Sequence, residues 1–201
     1  MELVRIDPSK RVAMALGAWQ GPKPTPSGWQ GKRVDPAYQT LLAMAYDKAP
    51  TLEGSSLKYW RAMASEVDRQ YAHLRRFVAM EVVAHDPYDG GDIRLMREAV
   101  EGDGVLKVMA TATTGGHPVW SNELNDKFRF VHDCFGHLAT GNATDRHGEY
   151  GAFLHHMGMF SDASVPAIVT ELQGQNAWQI VFGDFGPQKV ADMGLRREDF
   201  R

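Results

Sequence analysis

Two histidines five positions apart lie in a strongly apolar segment of the sequence. His132 and His137 belong to FRFVHDCFGH, residues 128–137, and six of the eight histidines fall between positions 117 and 156. A buried imidazole must have both ring nitrogens hydrogen-bonded or bound to a metal. The single cysteine, Cys134, excludes a disulfide and a thiolate-rich zinc site. The segment therefore predicts a metal centre with two imidazole ligands and oxygen or nitrogen donors.

The spacing of the two histidines does not match a regular α-helix. At about 100° per residue, side chains five positions apart point about 140° apart, so His132 and His137 cannot share one face of an ideal helix. The four-residue spacing of HExxH zinc proteases avoids this conflict, so that class fits badly. Gly136 offers a solution, because glycine permits the left-handed or irregular conformation that ends a helix and lets the next side chain turn back.

Two glutamates compete for the role of a third ligand. Two neutral imidazoles and one carboxylate suit divalent iron, manganese or zinc. Glu171 lies in the apolar segment IVTEL, where an unpaired carboxylate is costly to bury and a metal ion would remove that cost. Glu149 lies in the polar segment DRHGE, where it can equally be a solvated residue of a helix's first turn. The flanking residues favour Glu171.

The string HDCFGH resembles the HELLGH segment of the tetrahydrobiopterin-dependent aromatic amino acid hydroxylases. In that family the two histidines bind non-haem ferrous iron, and a glutamate a few tens of residues later completes the site. The resemblance covers residues 126–178 and implies His132, His137 and Glu171 as ligands of Fe(II), with O2 as co-substrate. Asp133 stands where the family commonly has glutamate. The resemblance implies pterin as a candidate reductant. No segment matches the family's pterin-binding loops, however, so the sequence itself identifies no electron donor.

A longer pattern, FGH followed by TE and GQNAW, resembles uncharacterised proteins encoded by tailed bacteriophages. This second resemblance implies no activity. It keeps a nucleotide or nucleobase substrate under consideration beside an aromatic one, and it implies the host cytoplasm as the location. The combined expectation is a non-haem iron oxygenase that hydroxylates a small molecule.

Residues near the predicted ligands are candidates for orienting the metal and the substrate. Asp133 and Gln175 are the catalytic candidates, since a side chain four residues after Glu171 shares its helical face and either group could orient a bound ligand. The candidates for contact with the substrate are Phe135, His156, Asn176 and Trp178, with Trp120 as a further aromatic wall.

Two other functions remain open from the sequence. The dipeptides His85-Asp86 and His132-Asp133 suggest a metal-dependent phosphohydrolase, although Pro87 disfavours the helix that such sites use. A purely structural metal that closes the last three helices is the non-enzymatic alternative, and a fully occupied coordination sphere would indicate it.

Hydrophobic spacing and turn residues predict the elements that carry these side chains. Expected are an amphipathic helix from Ser55-Ser56 to Val78, strands over 80–84 and 105–109, and three helices over 124–137 after Ser121, 149–160 and 164–181. Pro166 fits the first turn of the last helix, where its missing N–H costs nothing. The predicted fold class is α+β and mainly helical, with C-terminal helices around the metal site and a small central sheet.

The length and composition indicate one globular domain. We expect residues 1–36 to form an N-terminal arm with the Pro/Gly-rich linker GPKPTPSGWQG, and residues 37–201 to form a single metal-binding catalytic domain. The net charge of −3 without a basic run gives little support for nucleic-acid binding. No apolar run approaches the ~20 residues of a membrane span, and no secretory signal begins the chain, so the expected location is the cytoplasm. The sequence indicates no oligomeric state.

Overall fold

The computed structural model describes residues 6–25, 34–183 and 188–200. Eight α-helices and two strands are found in this part of the chain. The elements are α1 Lys10–Ala18, α2 Pro36–Lys48, α3 Lys58–Leu74, β1 Ala79–Val83, α4 Ile93–Gly102, β2 Val105–Met109, α5 Asn122–His132, α6 Arg146–Met157, α7 Val165–Ile168 and α8 Gln175–Phe182. Two π-helical turns, Asp133–Leu138 and Val169–Gly174, extend α5 and join α7 to α8. The mainly helical α+β class predicted from the sequence is confirmed.

Helix α3 passes through the core as its apolar spacing predicts. Trp60, Met63, Val67 and Leu74 are buried, and they recur at the spacings of three and four that place side chains on one helical face. Val78 is also buried, but it follows the helix and leads into β1. This helix packs against α5, which carries the first predicted ligand.

The small sheet consists of β1 and β2 in parallel, with Ala79 opposite Val105 and Val83 opposite Met109. Strand β2 has the predicted bounds, and β1 lies one residue earlier than predicted. Parallel neighbours need a crossover connection, and α4 supplies it. Asp92 caps this helix, with its carboxylate accepting the Arg94 N–H at 2.8 Å. Helix α4 was not predicted from the sequence.

The C-terminal helices begin at capping residues. The Ser121 hydroxyl accepts the Leu124 N–H at 3.2 Å and starts α5, as predicted. Helix α6 starts earlier than expected, because the Asp145 carboxylate accepts the N–H groups of His147 and Gly148, both at 2.9 Å. The helix predicted from Ser164 corresponds to α7, the second π-helical turn and α8 in succession, with Pro166 in its first turn.

Part of the predicted N-terminal arm belongs to the core. In α1, Val12 and Ala15 have no exposed surface, and Trp19 beyond it is buried in the main cluster. The Ser9 N–H donates to the Leu138 carbonyl at 2.8 Å, at the end of the first π-helical turn. Residues 26–33, which include most of the linker over 21–31, lie outside the described residues. Within the described ranges, no helix has the length and apolar character to cross a membrane.

Candidate metal centre

A π-helical turn follows His132 directly and brings the two histidines together. In Asp133–Leu138 the backbone hydrogen bonds join residues five apart, and the same pattern gives the 2.8 Å bond from the Ala139 N–H to the Cys134 carbonyl. Such a turn aligns side chains five positions apart. The ring centroids of His132 and His137 are accordingly 5.0 Å apart. A spacing that conflicts with a regular α-helix is therefore compatible with this π-helical turn.

Gly136 contributes space, not a left-handed backbone. Its φ is not positive, so of the two conformations considered from the sequence, left-handed or irregular, the irregular one is found, as part of the π-helical turn. A Cβ at this position would lie 2.9 Å from Cε1 and Nδ1 of His132 and 3.2 Å from Cβ of Ala152. A side chain here would push the imidazole away, so the glycine lets the His132 ring lie against the helix backbone.

The carboxylate that joins the two histidines is that of Glu149. Ligand atoms of His132, His137 and Glu149 all lie within 4.8 Å of one another. The Oε2 atom of Glu149 is 3.5 Å from Nε2 of His137 and 3.9 Å from Nε2 of His132. Glu149 lies in the first turn of α6, which packs against the π-helical turn. Two imidazoles and one carboxylate thus converge from neighbouring elements.

Glu171, the carboxylate favoured by the sequence, is not part of this group of three. Its Oε1 lies 3.0 Å from Nε2 of His117, and the Gln188 amide donates to both of its oxygens at 3.0 and 3.2 Å. The apolar flank of Glu171 was taken as evidence for a metal ion. Hydrogen bonds from His117 and Gln188 offset that burial cost instead.

The pKa values of His132, His137 and Glu149 are shifted by burial and by one another in a way that suits a bound cation. Burial by itself would lower the pKa of His137, but the Glu149 carboxylate raises it to about 9. Burial would raise the pKa of Glu149, yet the two histidines hold it well below its ordinary value. Burial lowers the pKa of His132. In the metal-free protein, His137 and Glu149 therefore form an ion pair while His132 is neutral.

Hydrogen bonds behind the ligands fix how they face the centre. The Nδ1–H of His137 donates to the Asn142 carbonyl at 3.0 Å, which leaves Nε2 to face Glu149. The Asn176 amide donates to Oε2 of Glu149 at 3.0 Å. Asn176, named from the sequence as a substrate contact, therefore orients the carboxylate. The Nε2 atom of His132 is buried and has no hydrogen-bond partner among the residues that the structure describes. An orphaned ring nitrogen beside a carboxylate is what a missing cation leaves, so these residues fit a bound metal.

His156 is a supporting residue and not a wall of the substrate site. It has no exposed surface, and its Nδ1 lies 3.2 Å from Nδ1 of His132. It packs on Phe135 and Phe160, on the side of His132 that faces the core. His156 is enclosed and does not line the described cavity, so it does not face a substrate there, as the sequence had suggested.

A cavity of about 1010 Å³ opens in front of the group, lined by His132 and Glu149. Its wall is rich in polar side chains. Among these are Asn125, Arg129, Asp133, Gln175, Asn176, Gln179 and Gln188, with His117 and Glu171 on another part of the lining. Asp133 and Gln175, the catalytic candidates from the sequence, both line this cavity, and burial raises the pKa of Asp133 to about 7.

The predicted aromatic walls lie elsewhere. Phe135 is fully buried near Trp19, and Trp178 packs on Phe182 with ring centroids 4.8 Å apart. Trp120 stacks on His117 at 4.7 Å. None of these three residues lines the described cavity. Phe128 does line it, at four residues before His132, with its ring stacked on that imidazole at 6.2 Å.

The first His-Asp dipeptide is a surface turn. The Asp86 carboxylate accepts the N–H groups of Tyr88 and Gly90, and His85 is exposed. Neither residue belongs to the group of three ligands found among the described residues. The dipeptide pattern that suggested a phosphohydrolase is thereby explained by turn formation at this position.

Sequence reasoning missed the residues that support the ligands from a distance. Gln70 on α3 and the backbone carbonyl of Asn142 carry no local signal, because only the folded chain brings them to the histidines. His117 could have been found as a partner for Glu171, since it belongs to the same histidine-rich region. Comparison with models of protein families, with curated proteins and with solved structures finds no match to this chain.

Proposed function

We propose that the protein is a mononuclear non-haem iron oxygenase, with ferrous iron held by His132, His137 and Glu149. The observation that carries this proposal is the convergence of two imidazoles and one carboxylate beside a large cavity. Such a donor set leaves coordination positions open on one side and suits Fe(II), with zinc and manganese as alternatives. Bound ferrous iron would supply the capacity to activate O2 at those open positions.

The cavity supports a small polar substrate rather than a polymer. Its volume of about 1010 Å³ suits a small molecule. Amides and carboxylates on its wall offer both donors and acceptors of hydrogen bonds, and Phe128 offers a flat apolar surface. Hydroxylation would insert one oxygen atom of O2 into a C–H bond and reduce the other to water, with two electrons from a reductant and two protons from solvent.

The protein's own groups would bind and orient the reactants. Asn176 and the Asn142 carbonyl hold Glu149 and His137, so the ligands need little reorganisation when a metal arrives. Asp133 and Gln175 line the cavity and are the candidates for contact with the substrate or a bound water. A cavity in front of His132 and Glu149 favours an open, catalytic site over a closed structural one.

The ligand assignment is tested by metal content. We expect His132→Ala, His137→Ala and Glu149→Gln to lose stoichiometric iron after anaerobic loading with Fe(II), measured by elemental analysis. Glu171→Gln is the matched control, since it removes a buried carboxylate of the same cavity that is not in the group of three. Loss of iron in Glu171→Gln with retention in Glu149→Gln would contradict the assignment.

The activity itself is tested by oxygen uptake. The iron-loaded protein should consume O2 with a reductant, and candidate aromatic or nucleobase compounds should increase this rate, whereas Glu149→Gln should not respond. Release of phosphate from nucleotides without O2 consumption would instead indicate a hydrolase. Tight metal binding with neither activity would indicate a structural metal.

A further inference from the structure

A chain of buried hydrogen bonds leads from α3 to the first metal ligand. Gln70 and His156 are enclosed, with 1% and 0% of their surface exposed. The Gln70 amide nitrogen faces the Met159 carbonyl at 3.4 Å, and its Oε1 lies 2.7 Å from Nε2 of His156. Nδ1 of His156 in turn lies 3.2 Å from Nδ1 of His132. Side chains from α3, α6 and α5 are therefore linked in series, from Gln70 through His156 to His132.

The order of donors in this chain follows from the oxygen of Gln70. An amide oxygen only accepts hydrogen bonds, so Nε2 of His156 must carry the proton that it donates. His156 has no exposed surface, its ring neighbours include Phe135 and Phe160, and no ion pair joins it to a carboxylate of the described residues. A buried charge without a counter-charge is costly, so the imidazole is neutral. A neutral ring protonated at Nε2 has a lone pair at Nδ1. His132 must then donate from its own Nδ1.

We propose that Gln70 and His156 are positioning residues, which hold His132 in the tautomer whose Nε2 lone pair faces the metal site. The inference rests on the proposed function for the identity of the ligands. It adds two residues that never touch the metal. The tautomer inferred for His132 depends only on hydrogen bonds within the protein, so it applies to the metal-free protein as well.

The orphaned nitrogen of His132 supports the same assignment. If Nε2 carried the proton, it would be a buried donor whose nearest carboxylate oxygen, Oε2 of Glu149, is 3.9 Å away, which is too far for a hydrogen bond. With the proton on Nδ1, this ring's donor is satisfied by His156. Removal of the Gln70 oxygen would free His156 to reverse its tautomer, and a reversed chain would put a proton on the nitrogen that must bind the metal.

The matched test compares two buried glutamines. Gln70→Met removes the acceptor with a side chain of similar length, and Gln39→Met changes a buried glutamine of α2 that takes no part in the chain. With Co(II) as the probe, followed by its absorption spectrum, we expect Gln70→Met to raise the dissociation constant about 10- to 100-fold. Gln39→Met should leave it unchanged. Equal Co(II) affinity in wild type and Gln70→Met, with both folded, would overturn the inference.

A second measurement needs no variant. The ¹⁵N chemical shifts of the histidine rings in the metal-free wild-type protein report which nitrogen carries each proton. We expect His132 as the Nδ1–H tautomer and His156 as the Nε2–H tautomer, and the opposite pair would overturn the inference even if Gln70→Met fails to fold. Failure of the proposed function would appear differently, as wild-type protein that binds neither Fe(II) nor Co(II).

Discussion

The proton on His137 is the charge that a metal ion must replace. The Glu149 carboxylate, against the effect of burial, raises the pKa of this imidazole to about 9, so it is protonated at neutral pH without metal. Neutral imidazole is the ligand form, and metal binding therefore releases this proton. Metal affinity and pH are coupled at this residue.

We expect the apparent affinity for Co(II) to rise with pH, by about tenfold per unit between about pH 6.5 and pH 8.5, and to level off above about pH 9. The folding stability of the metal-free protein should change with pH in the opposite direction. The raised pKa of His137 contributes fully to stability below the unfolded value near 6.5, and this contribution is lost as pH rises through about 9. Titration calorimetry in buffers of different ionisation enthalpy should detect the released proton. A binding enthalpy independent of the buffer would contradict the ion pair.

At the site, the sequence predicted the helices but not the π-helical turns within them. The capping serine and apolar spacing of α5 predicted a helix that carries both histidines. They could not predict the π-helical turn, because its hydrogen bonds depend on packing against α6. The choice of carboxylate failed for the same reason. Glu149 reaches the histidines through contact between elements, whereas its local sequence resembles an ordinary first turn.

The close contact between the π-helical turn and the His132 ring can be tested at Gly136. Ala at this position would place Cβ 2.9 Å from two atoms of the ring. We expect Gly136→Ala to lower the free energy of unfolding by about 1–3 kcal/mol through overpacking and to weaken metal binding by displacing the imidazole.

Gly17→Ala is the matched control, since Gly17 lies in helix α1 with no atom within 4 Å of an added Cβ. It should be neutral or stabilise the protein by up to about 1 kcal/mol, with metal binding unchanged. Chemical denaturation and Co(II) titration measure both quantities. Full metal affinity in Gly136→Ala would show that the ring position does not depend on this glycine.

At the scale of the whole molecule, the N-terminal segment, residues 6–19, packs against the first π-helical turn and the residues that follow it. The N–H groups of Ile6 and Ser9 donate to the carbonyls of Gly141 and Leu138, at 3.1 and 2.8 Å. Trp19 packs on Phe135 inside the π-helical turn, with ring centroids 6.5 Å apart. These contacts predict that the segment stabilises the centre, although the sequence suggested a separate arm.

Two tryptophans distinguish a core role of this segment from a peripheral one. Trp19 is 7% exposed, and its indole N–H donates to the Pro22 carbonyl at 2.9 Å, so Trp19→Ala should lower the free energy of unfolding by about 3–5 kcal/mol. For a chain of this size, each kcal/mol corresponds to about 2–4 °C in the melting temperature. Trp178→Ala, at a partly exposed residue of α8 packed on Phe182, should cost clearly less. Because Trp19 contacts the turn that carries His137, its loss should also weaken Co(II) binding. If Trp19→Ala melts and binds metal like the wild type, the segment is an arm after all, and the packing of α1 contributes nothing to the centre.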